Sequence, residues 1–251
     1  PLTFLDYNLQ SGDALVGVGT LGEVSDELGM EEDQVTMGNF SSSSGVIDEL
    51  DDEIQDAKNV SDTSAEKVQE ARATRDRIDN SLAPVRARLD ILTAVEINED
   101  INTKVATDTN IDDPRELSTY EDVKEVLEAF DVFHFPTAFP EVFVGDRAGF
   151  DTIVGNPPWD KVIFEAQQFW VTRHPGLNTF PKTRRDERIE ELRERYPRQA
   201  KEEEQEKSQR EQYQEYVGSA FEDQGRGHYD YAKLFVERAT DLLHGDGELG
   251  Y

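Results

Sequence analysis

Apolar residues recur at spacings of three and four through residues 46–98, the periodicity of one helix face. The two runs are Ile47, Leu50, Ile54 and Ala57, then Val68, Ala71, Ile78, Leu82, Val85, Leu89 and Leu92. The polar residues 59–64 predict a turn between them and therefore an antiparallel helical pair. Pro84 predicts a kink or the start of another helix. We interpret the region as an inserted helical hairpin, with a coiled-coil surface for a partner as the alternative.

The pattern after residue 118 alternates between helices and short strands. It predicts a helix at 119–130 capped by Ser118 or Thr119, then an aromatic and proline-rich stretch without a long helix at 133–143. A strand at 150–155 and a helix at 161–171 follow, and then charged helices at 184–216 that are interrupted at Pro197. The last predicted elements are an amphipathic helix at 229–243, a turn at 245–247 and a strand from Glu248. This order is typical of α/β proteins, in which ligands bind at the carboxyl ends of parallel strands.

Residues 1–45 are less regular. Residues 1–20 predict a strand or loop that leads into Gly12-Asp13. Residues 21–45 are rich in Gly, Ser and acidic residues and predict a linker or mobile loop. We expect Asp13 and Asn156 to follow strands at the carboxyl edge of the predicted sheet.

The amino-acid composition excludes several classes of protein. The chain has 251 residues and no Cys, which excludes a disulfide-stabilised scaffold and a thiolate metal site. No apolar run approaches the roughly 18 residues of a membrane helix, and no signal peptide is recognisable, so we expect a cytoplasmic protein. The chain lacks an initiator Met and ends where a strand is expected to begin, so we expect an internal part of a longer protein.

The net charge is −29, and Arg (17) outnumbers Lys (9). Acidic residues are spread along the whole chain, which favours adaptation to high salt over an acidic, partly disordered protein. One segment differs: residues 173–210 contain 11 Lys and Arg against 9 Asp and Glu. Its residues Lys182, Arg184, Arg185 and Arg188 are candidates for contact with DNA phosphates. The alternative is a solvated helix with internal ion pairs.

The tetrapeptide Asn156-Pro157-Pro158-Trp159 carries the strongest chemical signal. Two prolines fix φ and remove two backbone donors, so the loop presents carbonyl oxygens with little freedom. The Asn156 amide adds another acceptor, and Trp159 adds a flat apolar face. Such a set suits an amino group on a planar ring, for example adenine N6. Its structural alternative is a turn that ends a strand and places Trp159 in the core.

Four segments, in this order, resemble the adenine-specific DNA methyltransferases of type IIG restriction-modification and phage-defence systems. They are SGDALVG at 11–17, HFPTAFPEVF at 134–143, FDTIVGNPPW at 150–159 and HYDYAKLFVERATDLLHGDGELGY at 228–251. The resemblance implies a partial Rossmann-like α/β fold with a large helical insertion. It divides the chain into methyltransferase core at 1–20, insertion at 21–130 and core at 131–251.

The resemblance also implies S-adenosylmethionine as cofactor and a flipped adenine in double-stranded DNA as target. Asn156, Pro157, Pro158 and Trp159 take the catalytic positions. Asp13 and Ala14 fall where the family contacts the cofactor, and Asp230 and Tyr231 fall in a segment that borders its pocket. The family's glycine-rich cofactor loop is missing here, because GVGTLG at 17–22 follows Asp13 and does not open the first βα unit. The family's target-recognition domain, expected after Tyr251, is missing as well. We therefore expect this chain to depend on the remainder of a parent chain for activity.

Two other functions are compatible with these residues. Methyltransferases of protein glutamine or of RNA guanine also use an Asn-Pro-Pro-aromatic loop, and an acidic helical interaction module would use residues 46–98 and 184–216. The four histidines are dispersed and predict no metal site.

Overall fold

The computed structural model describes most of the chain and divides it into two compact units. The described residues are 9–31, 35–40, 65–102, 104–108, 110–143, 148–221, 223–224 and 229–251. Unit 1 comprises residues 1–157 and 234–251, and unit 2 comprises residues 158–233. The domains predicted from the sequence separate a methyltransferase core from a helical insertion, which is a different division of the chain. That division stays a prediction.

The described residues form ten helices and two strands. They are α1 (Ser25–Leu28), α2 (Ala65–Ile97), α3 (Lys104–Thr107), α4 (Tyr120–Leu127), α5 (Phe135–Ala138), α6 (Pro140–Phe143), β1 (Phe150–Val154), α7 (Ala166–Arg173), α8 (Lys182–Arg195), α9 (Pro197–Ala220), α10 (Tyr231–Leu242) and β2 (Leu243–Gly250). Short 3-10 turns lie at Leu21–Val24, Met37–Phe40, Pro114–Glu116 and Pro175–Thr179. The predicted helix at 119–130, the strand at 150–155 and the break before Pro197 are confirmed.

Helix α2 forms the centre of unit 1. The predicted apolar face is confirmed where side chains are described: Ile78, Leu82, Val85, Leu89 and Leu92 are all buried. The helix continues through Pro84, so the prediction of another helix starting there is wrong. Tertiary packing on both sides of Pro84 compensates for the lost backbone hydrogen bond. The predicted side chains Val68 and Ala71, and the whole first helix with its turn at 46–64, lie outside the described residues.

The prediction of a linker after residue 20 is wrong for the described residues 21–31 and 35–40. The side chains of Leu21, Val24, Val35, Met37 and Phe40 are buried in one cluster with the apolar face of α2. Short 3-10 turns direct them inward. Such short turns produce no repeating pattern of apolar residues, so the sequence does not indicate that these positions are buried among Gly and acidic residues.

A buried arginine of α2 binds the backbone of α3 and of the residues that follow it. Arg88 is fully buried, and its guanidinium donates hydrogen bonds to backbone carbonyls. The acceptors are Val105, Ala106, Asp108 and Ile111. Burial lowers the pKa of Arg88, although nearby aspartates act in the opposite direction.

The stretch at 133–143 contains no long helix, as predicted, and forms the two short helices α5 and α6. Its phenylalanines pack around the first residue of β1. The ring centroids of Phe143, Phe139 and Phe135 lie 5.6, 5.7 and 6.4 Å from that of Phe150, all in edge-to-face geometry. This aromatic cluster fixes where β1 begins.

Strands β1 and β2 pair in parallel, with Thr152 opposite Glu248 and Val154 opposite Gly250. The prediction that Gly245-Asp246-Gly247 precedes the strand is wrong, because β2 begins at Leu243 and the pairing resumes after a bulge. His244 holds the bulge: its Nδ1 accepts from the N–H of Asp246 (3.1 Å), and its Nε2 contacts Asp151 (2.7 Å). A bulge adds unpaired residues without ending a ladder.

Unit 2 contains α7, α8 and α9. Its small core consists of Phe169, Trp170, Leu177 and Ile189. Arg193 of α8 forms an ion pair with Glu203 of α9, and Glu203 is buried. The predicted helix at 161–171 starts only at Ala166. Residues 160–162 instead pair with 229–231, and that pairing excludes helical geometry there.

Candidate functional site

The predicted catalytic loop follows directly after β1. The N–H of Gly155 still donates to the carbonyl of Gly250 (3.0 Å), so the parallel pairing reaches one residue beyond the strand. Asn156 is the first residue past that bond. Pro157 and Pro158 have no N–H with which to continue the ladder. The position of the loop is therefore set by the sheet on one side and by proline on the other.

The side chains that would act on a substrate are exposed. Asn156 and Pro158 are exposed, Pro157 is half-buried, and Trp159 is 85% exposed. This exposure excludes the structural alternative in which Trp159 is a core residue. A large aromatic side chain in solvent after a rigid turn is available to stack on a planar ligand.

Sequence analysis missed Tyr251, which lies against the backbone of the loop's first glycine. A Cβ added to Gly155 would lie 2.8 Å from Tyr251 Cε1. The Tyr251 hydroxyl donates to the carbonyl of Phe235 (2.8 Å), and burial raises the pKa of that hydroxyl. No sequence signal identifies this contact, because only the parallel register of Val154 with Gly250 places residue 251 beside residue 155.

Asp230 and Tyr231 lie in unit 2 beside the residues that follow Trp159. The N–H of Tyr231 donates to the carbonyl of Asp160 (3.1 Å), and the N–H of Val162 donates to the carbonyl of Tyr229 (3.0 Å). Asp230 Oδ1 accepts from the N–H of Ala232 (3.0 Å) at the start of α10. The Tyr231 hydroxyl accepts from Arg210. Each of these two predicted side chains thus has a local structural contact.

Asp13 and Ala14 lie in a turn of unit 1, and both are half-buried. Asp13 Oδ1 accepts from the N–H of Leu15 (3.0 Å), and its N–H donates to the carbonyl of Asp131 (2.6 Å). It pairs with Val132 in an isolated parallel bridge outside the β1–β2 sheet. Asp13 and Asn156 therefore do not follow neighbouring strands of one sheet in the described residues.

Two buried side chains that sequence analysis did not select hold the segment after Asp13. The N–H of Val18 donates to Nδ1 of His134 (3.0 Å), and Arg238 donates to the carbonyl of Gly17 (3.1 Å). Arg238 also pairs with Glu23 at 2.7 Å. The sequence carries a signal for Arg238, since a charge stands on the face that Leu234 and Leu242 define at spacings of four.

The four candidates for DNA contact lie at the start of α8 and differ in their surroundings. Lys182 and Arg184 are exposed, and the Arg184 guanidinium lies 5.2 Å from the Phe180 ring. Arg188 pairs with Glu191. Arg185 is half-buried and donates to the carbonyl of Phe180 (3.2 Å) and to Gln167 (3.4 Å).

Internal ion pairs are frequent in α8 and α9, as the structural alternative for this segment requires. Besides the Arg188 pair, they are Arg193–Glu190, Arg193–Glu203, Arg198–Glu202 and Lys207–Glu211. Much of the positive charge in this segment is thus neutralised locally. Lys182 and Arg184 remain the best candidates for an external anion.

The charge of the sequence divides by compact unit. Residues 158–233 contain 14 Lys and Arg against 16 Asp and Glu, whereas the remaining residues contain 12 against 39. Nearly all of the excess negative charge therefore belongs to unit 1. Unit 2 is close to neutral, which lowers the electrostatic repulsion of a polyanion.

Within the described residues, no group of three or more His, Asp or Glu side chains could hold a metal ion. None of the helices in this part of the chain combines the length and apolar character needed to cross a bilayer.

Comparison of the chain with family models, with curated proteins and with solved structures finds no match.

Proposed function

We propose that this chain is part of a DNA methyltransferase that transfers a methyl group from S-adenosylmethionine to adenine N6, within a partial Rossmann-like fold. One observation carries the proposal. The Asn-Pro-Pro-Trp loop follows a parallel strand, and it presents an exposed Asn156 and a Trp159 that is 85% exposed. Exposed in this way, the Asn156 amide and the Trp159 ring are both accessible to a planar ligand.

The proposed chemistry uses acceptors held in place before the substrate arrives. The amide oxygen of Asn156 and the backbone carbonyl of Pro157 accept the two N–H groups of the adenine amine. These hydrogen bonds favour a more tetrahedral nitrogen, whose lone pair is then available for attack. Pro158 limits the rotation of the Pro157 carbonyl, and Trp159 stacks on the base after it leaves the duplex. The gain in rate comes from positioning and preorganised dipoles.

S-adenosylmethionine supplies an electrophilic methyl group when bound. Asp13 fits the proposed contact with its adenine amine, because the carboxylate is half-buried and oriented by the N–H of Leu15, and carboxylate oxygens can accept more than one hydrogen bond. Ala14 would lie alongside. Asp230 fits less well, since it caps α10, and the Tyr231 hydroxyl is engaged by Arg210. The assignment of Asp230 and Tyr231 to the cofactor therefore rests on the sequence resemblance alone.

The proposed partner is double-stranded DNA, and its phosphates would contact unit 2. The near neutrality of residues 158–233 in a chain of net charge −29 supports this assignment. Lys182 and Arg184 supply the contacts, whereas Arg185 and Arg188 stabilise α8. The protein would act in the cytoplasm of an organism with high internal salt, in restriction-modification or another defence system.

The test uses the full-length protein in multimolar potassium chloride with tritiated S-adenosylmethionine and unmethylated DNA. Products are digested to nucleosides and separated. We expect label in N6-methyladenine for the wild type and for Asn178→Ala, a control at an exposed asparagine of unit 2. We expect no label for Asn156→Ala.

Label that appears instead in RNA or in protein, offered in parallel, would contradict the choice of DNA and favour another amino methyltransferase. The absence of both transfer and cofactor binding would favour the interaction module. Unchanged transfer by Asn156→Ala would show that the loop is not catalytic.

A further inference from the structure

The backbone of residues 13–18 is bound along its length to residues 131–135. The N–H of Phe133 donates to the carbonyl of Val16 (2.8 Å), and the N–H of Phe135 donates to the carbonyl of Val18 (3.0 Å). Leu15 and Val16 are fully buried. We call residues 13–18 the Asp13 loop.

Gly17 allows this close approach. Its φ is +113°, and a Cβ there would lie 2.6 Å from the carbonyl oxygen of Phe133. The N–H of Val18, the next residue, points to a side chain instead of the opposing backbone. Its acceptor is Nδ1 of His134, at 3.0 Å.

The contacts of His134 define its tautomer. Since a backbone N–H donates to Nδ1, the ring carries its proton on Nε2 and is neutral. Nε2 then donates to Oδ1 of Asp90 in α2 (3.0 Å). Because His134 is 4% exposed, a side chain that left either hydrogen bond unmade would leave a buried polar group unpaired.

Asp90 is itself held by α4. Its Oδ2 accepts a hydrogen bond from the hydroxyl of Tyr120 (2.6 Å). Burial is the main cause that raises the pKa of Tyr120, and the Asp90 carboxylate raises it further, so this hydroxyl stays a donor. The chain of hydrogen bonds therefore runs from Tyr120 through Asp90 and His134 to Val18. It joins two helices of the predicted insertion to the Asp13 loop.

We propose that His134 is a positioning residue that holds the Asp13 loop through the N–H of Val18, and that Asp90 and Tyr120 of the helical region fix His134 in turn. The part of this proposal that concerns cofactor affinity rests on the proposed function, since it takes Asp13 as a cofactor contact. The part that concerns the order of the loop does not. Helices α2 and α4, which carry Asp90 and Tyr120, thereby have a function beyond packing, because they set the geometry of the loop that carries Asp13.

Two substitutions of His134 separate positioning from packing. Asn places its amide oxygen near the position of Nδ1, so His134→Asn keeps an acceptor for Val18 and removes the hydrogen bond to Asp90. Gln places its terminal group near the position of Nε2, so His134→Gln keeps the hydrogen bond to Asp90 and removes the acceptor for Val18. Both remove the ring. Tyr120→Phe is a milder third variant, because it removes only the hydroxyl.

The first measurement is hydrogen exchange in the full-length protein, read by mass spectrometry on overlapping peptides that cover residues 11–20. Peptides of α2, which lies in the same unit, report opening of that unit. We expect exchange at Val18 to be at least about tenfold faster in His134→Gln than in the wild type, as for the loss of one buried hydrogen bond. We expect exchange in His134→Asn to exceed that of the wild type by no more than about threefold, and Tyr120→Phe, which keeps the hydrogen bond between His134 and Asp90, to lie between the wild type and His134→Asn.

Equal exchange of residues 11–20 in His134→Gln and His134→Asn would overturn the positioning role. Wild-type exchange in Tyr120→Phe would overturn the contribution of the helical region. Should His134→Gln fail to fold, wild-type exchange of residues 11–20 in both His134→Asn and Tyr120→Phe would overturn the proposal, because these variants weaken the support of His134 while they keep the acceptor for Val18.

The second measurement is the dissociation constant of S-adenosylmethionine for the same proteins. We expect His134→Gln to bind at least about fivefold more weakly than His134→Asn, with kcat at saturating cofactor unchanged. Equal affinities despite different exchange would overturn the link between loop order and cofactor binding. If the wild type binds no cofactor, the proposed function fails, while the exchange data still decide the positioning of the loop.

Discussion

The ring of Tyr251 lies over the backbone of Gly155, so that a Cβ at residue 155 would be 2.8 Å from Tyr251 Cε1. One hydrogen bond holds Tyr251 in this position, and another holds Gly155. The Tyr251 hydroxyl is bound to the carbonyl of Phe235, and the N–H of Gly155 is bound to the carbonyl of Gly250. A residue with a side chain at 155 would have to break the hydrogen bond of Tyr251 or displace the strand end that carries Asn156.

We therefore expect Gly155→Ala to lower the free energy of unfolding by about 1–3 kcal/mol, the usual cost of overpacking, and to lower methyl transfer. Gly245→Ala is the control, since a Cβ at Gly245 would meet no atom within 4 Å. Urea denaturation measures the stability. Adding Tyr251→Ala to Gly155→Ala should recover part of it, and equal stability of Gly155→Ala and Gly245→Ala would refute the close approach.

The two tryptophans of the chain should respond in opposite ways to truncation. Trp159 is 85% exposed and Trp170 is 0% exposed. We expect Trp159→Ala to change the free energy of unfolding by less than about 0.5 kcal/mol and to weaken DNA binding by about 1–3 kcal/mol, the range for base stacking. We expect Trp170→Ala to cost about 3–5 kcal/mol of stability. Unfolding curves and DNA titrations of both variants test this, and unchanged DNA affinity in Trp159→Ala would contradict the stacking role.

The buried pair Arg193–Glu203 predicts a dependence of stability on pH. Burial is the largest single influence and raises the pKa of Glu203, but the hydrogen bond and charge of Arg193, together with Trp170 and Lys207, outweigh it and hold the pKa below the ordinary value of 4.5. The folded state therefore binds this proton less readily than the unfolded chain. The stabilisation is complete above pH 4.5 and is lost as the pH falls through the lower pKa of the folded state.

Glu203→Gln should flatten the decline of the unfolding free energy below about pH 4.5, because the substituted residue cannot titrate. Glu204→Gln, at an exposed neighbour in the same helix, should retain the decline of the wild type. Urea unfolding at several acidic pH values gives both slopes. Identical slopes in the two variants would show that Glu203 does not cause the decline.

The basic residues of α8 should separate into two groups. We expect charge reversal at Lys182 and Arg184 to weaken DNA binding and to reduce the slope of log affinity against log salt by about one for each phosphate that the variant no longer neutralises, with little change in stability. We expect Arg185→Glu to lower stability, because its guanidinium donates to the carbonyl of Phe180 inside unit 2. Binding and unfolding measured on the same proteins test both expectations. A salt slope that Lys182→Glu and Arg184→Glu leave unchanged would exclude these residues as phosphate contacts.

The candidate loop could be predicted from the sequence because its features are local. Two prolines after an apolar strand end the ladder wherever that strand lies, and the structure places Asn156 directly beyond β1 as predicted. The linker predicted at 21–45 failed for the opposite reason. Its described apolar residues become buried only through contact with α2, which lies at least 25 residues further along the chain.

The periodic pattern alone determined the apolar face of α2, the strand before Asn156, the break before Pro197 and the amphipathic helix that became α10, because period and proline act through neighbouring residues. The three-dimensional path of the chain decided which side chains hold the Asp13 loop. His134 lies 44 residues from Asp90 and 116 from Val18, and Arg238 lies 215 residues from Glu23. Hydrogen bonds over such separations depend on where the folded backbone brings donors and acceptors together, and no local pattern in the sequence encodes that distance.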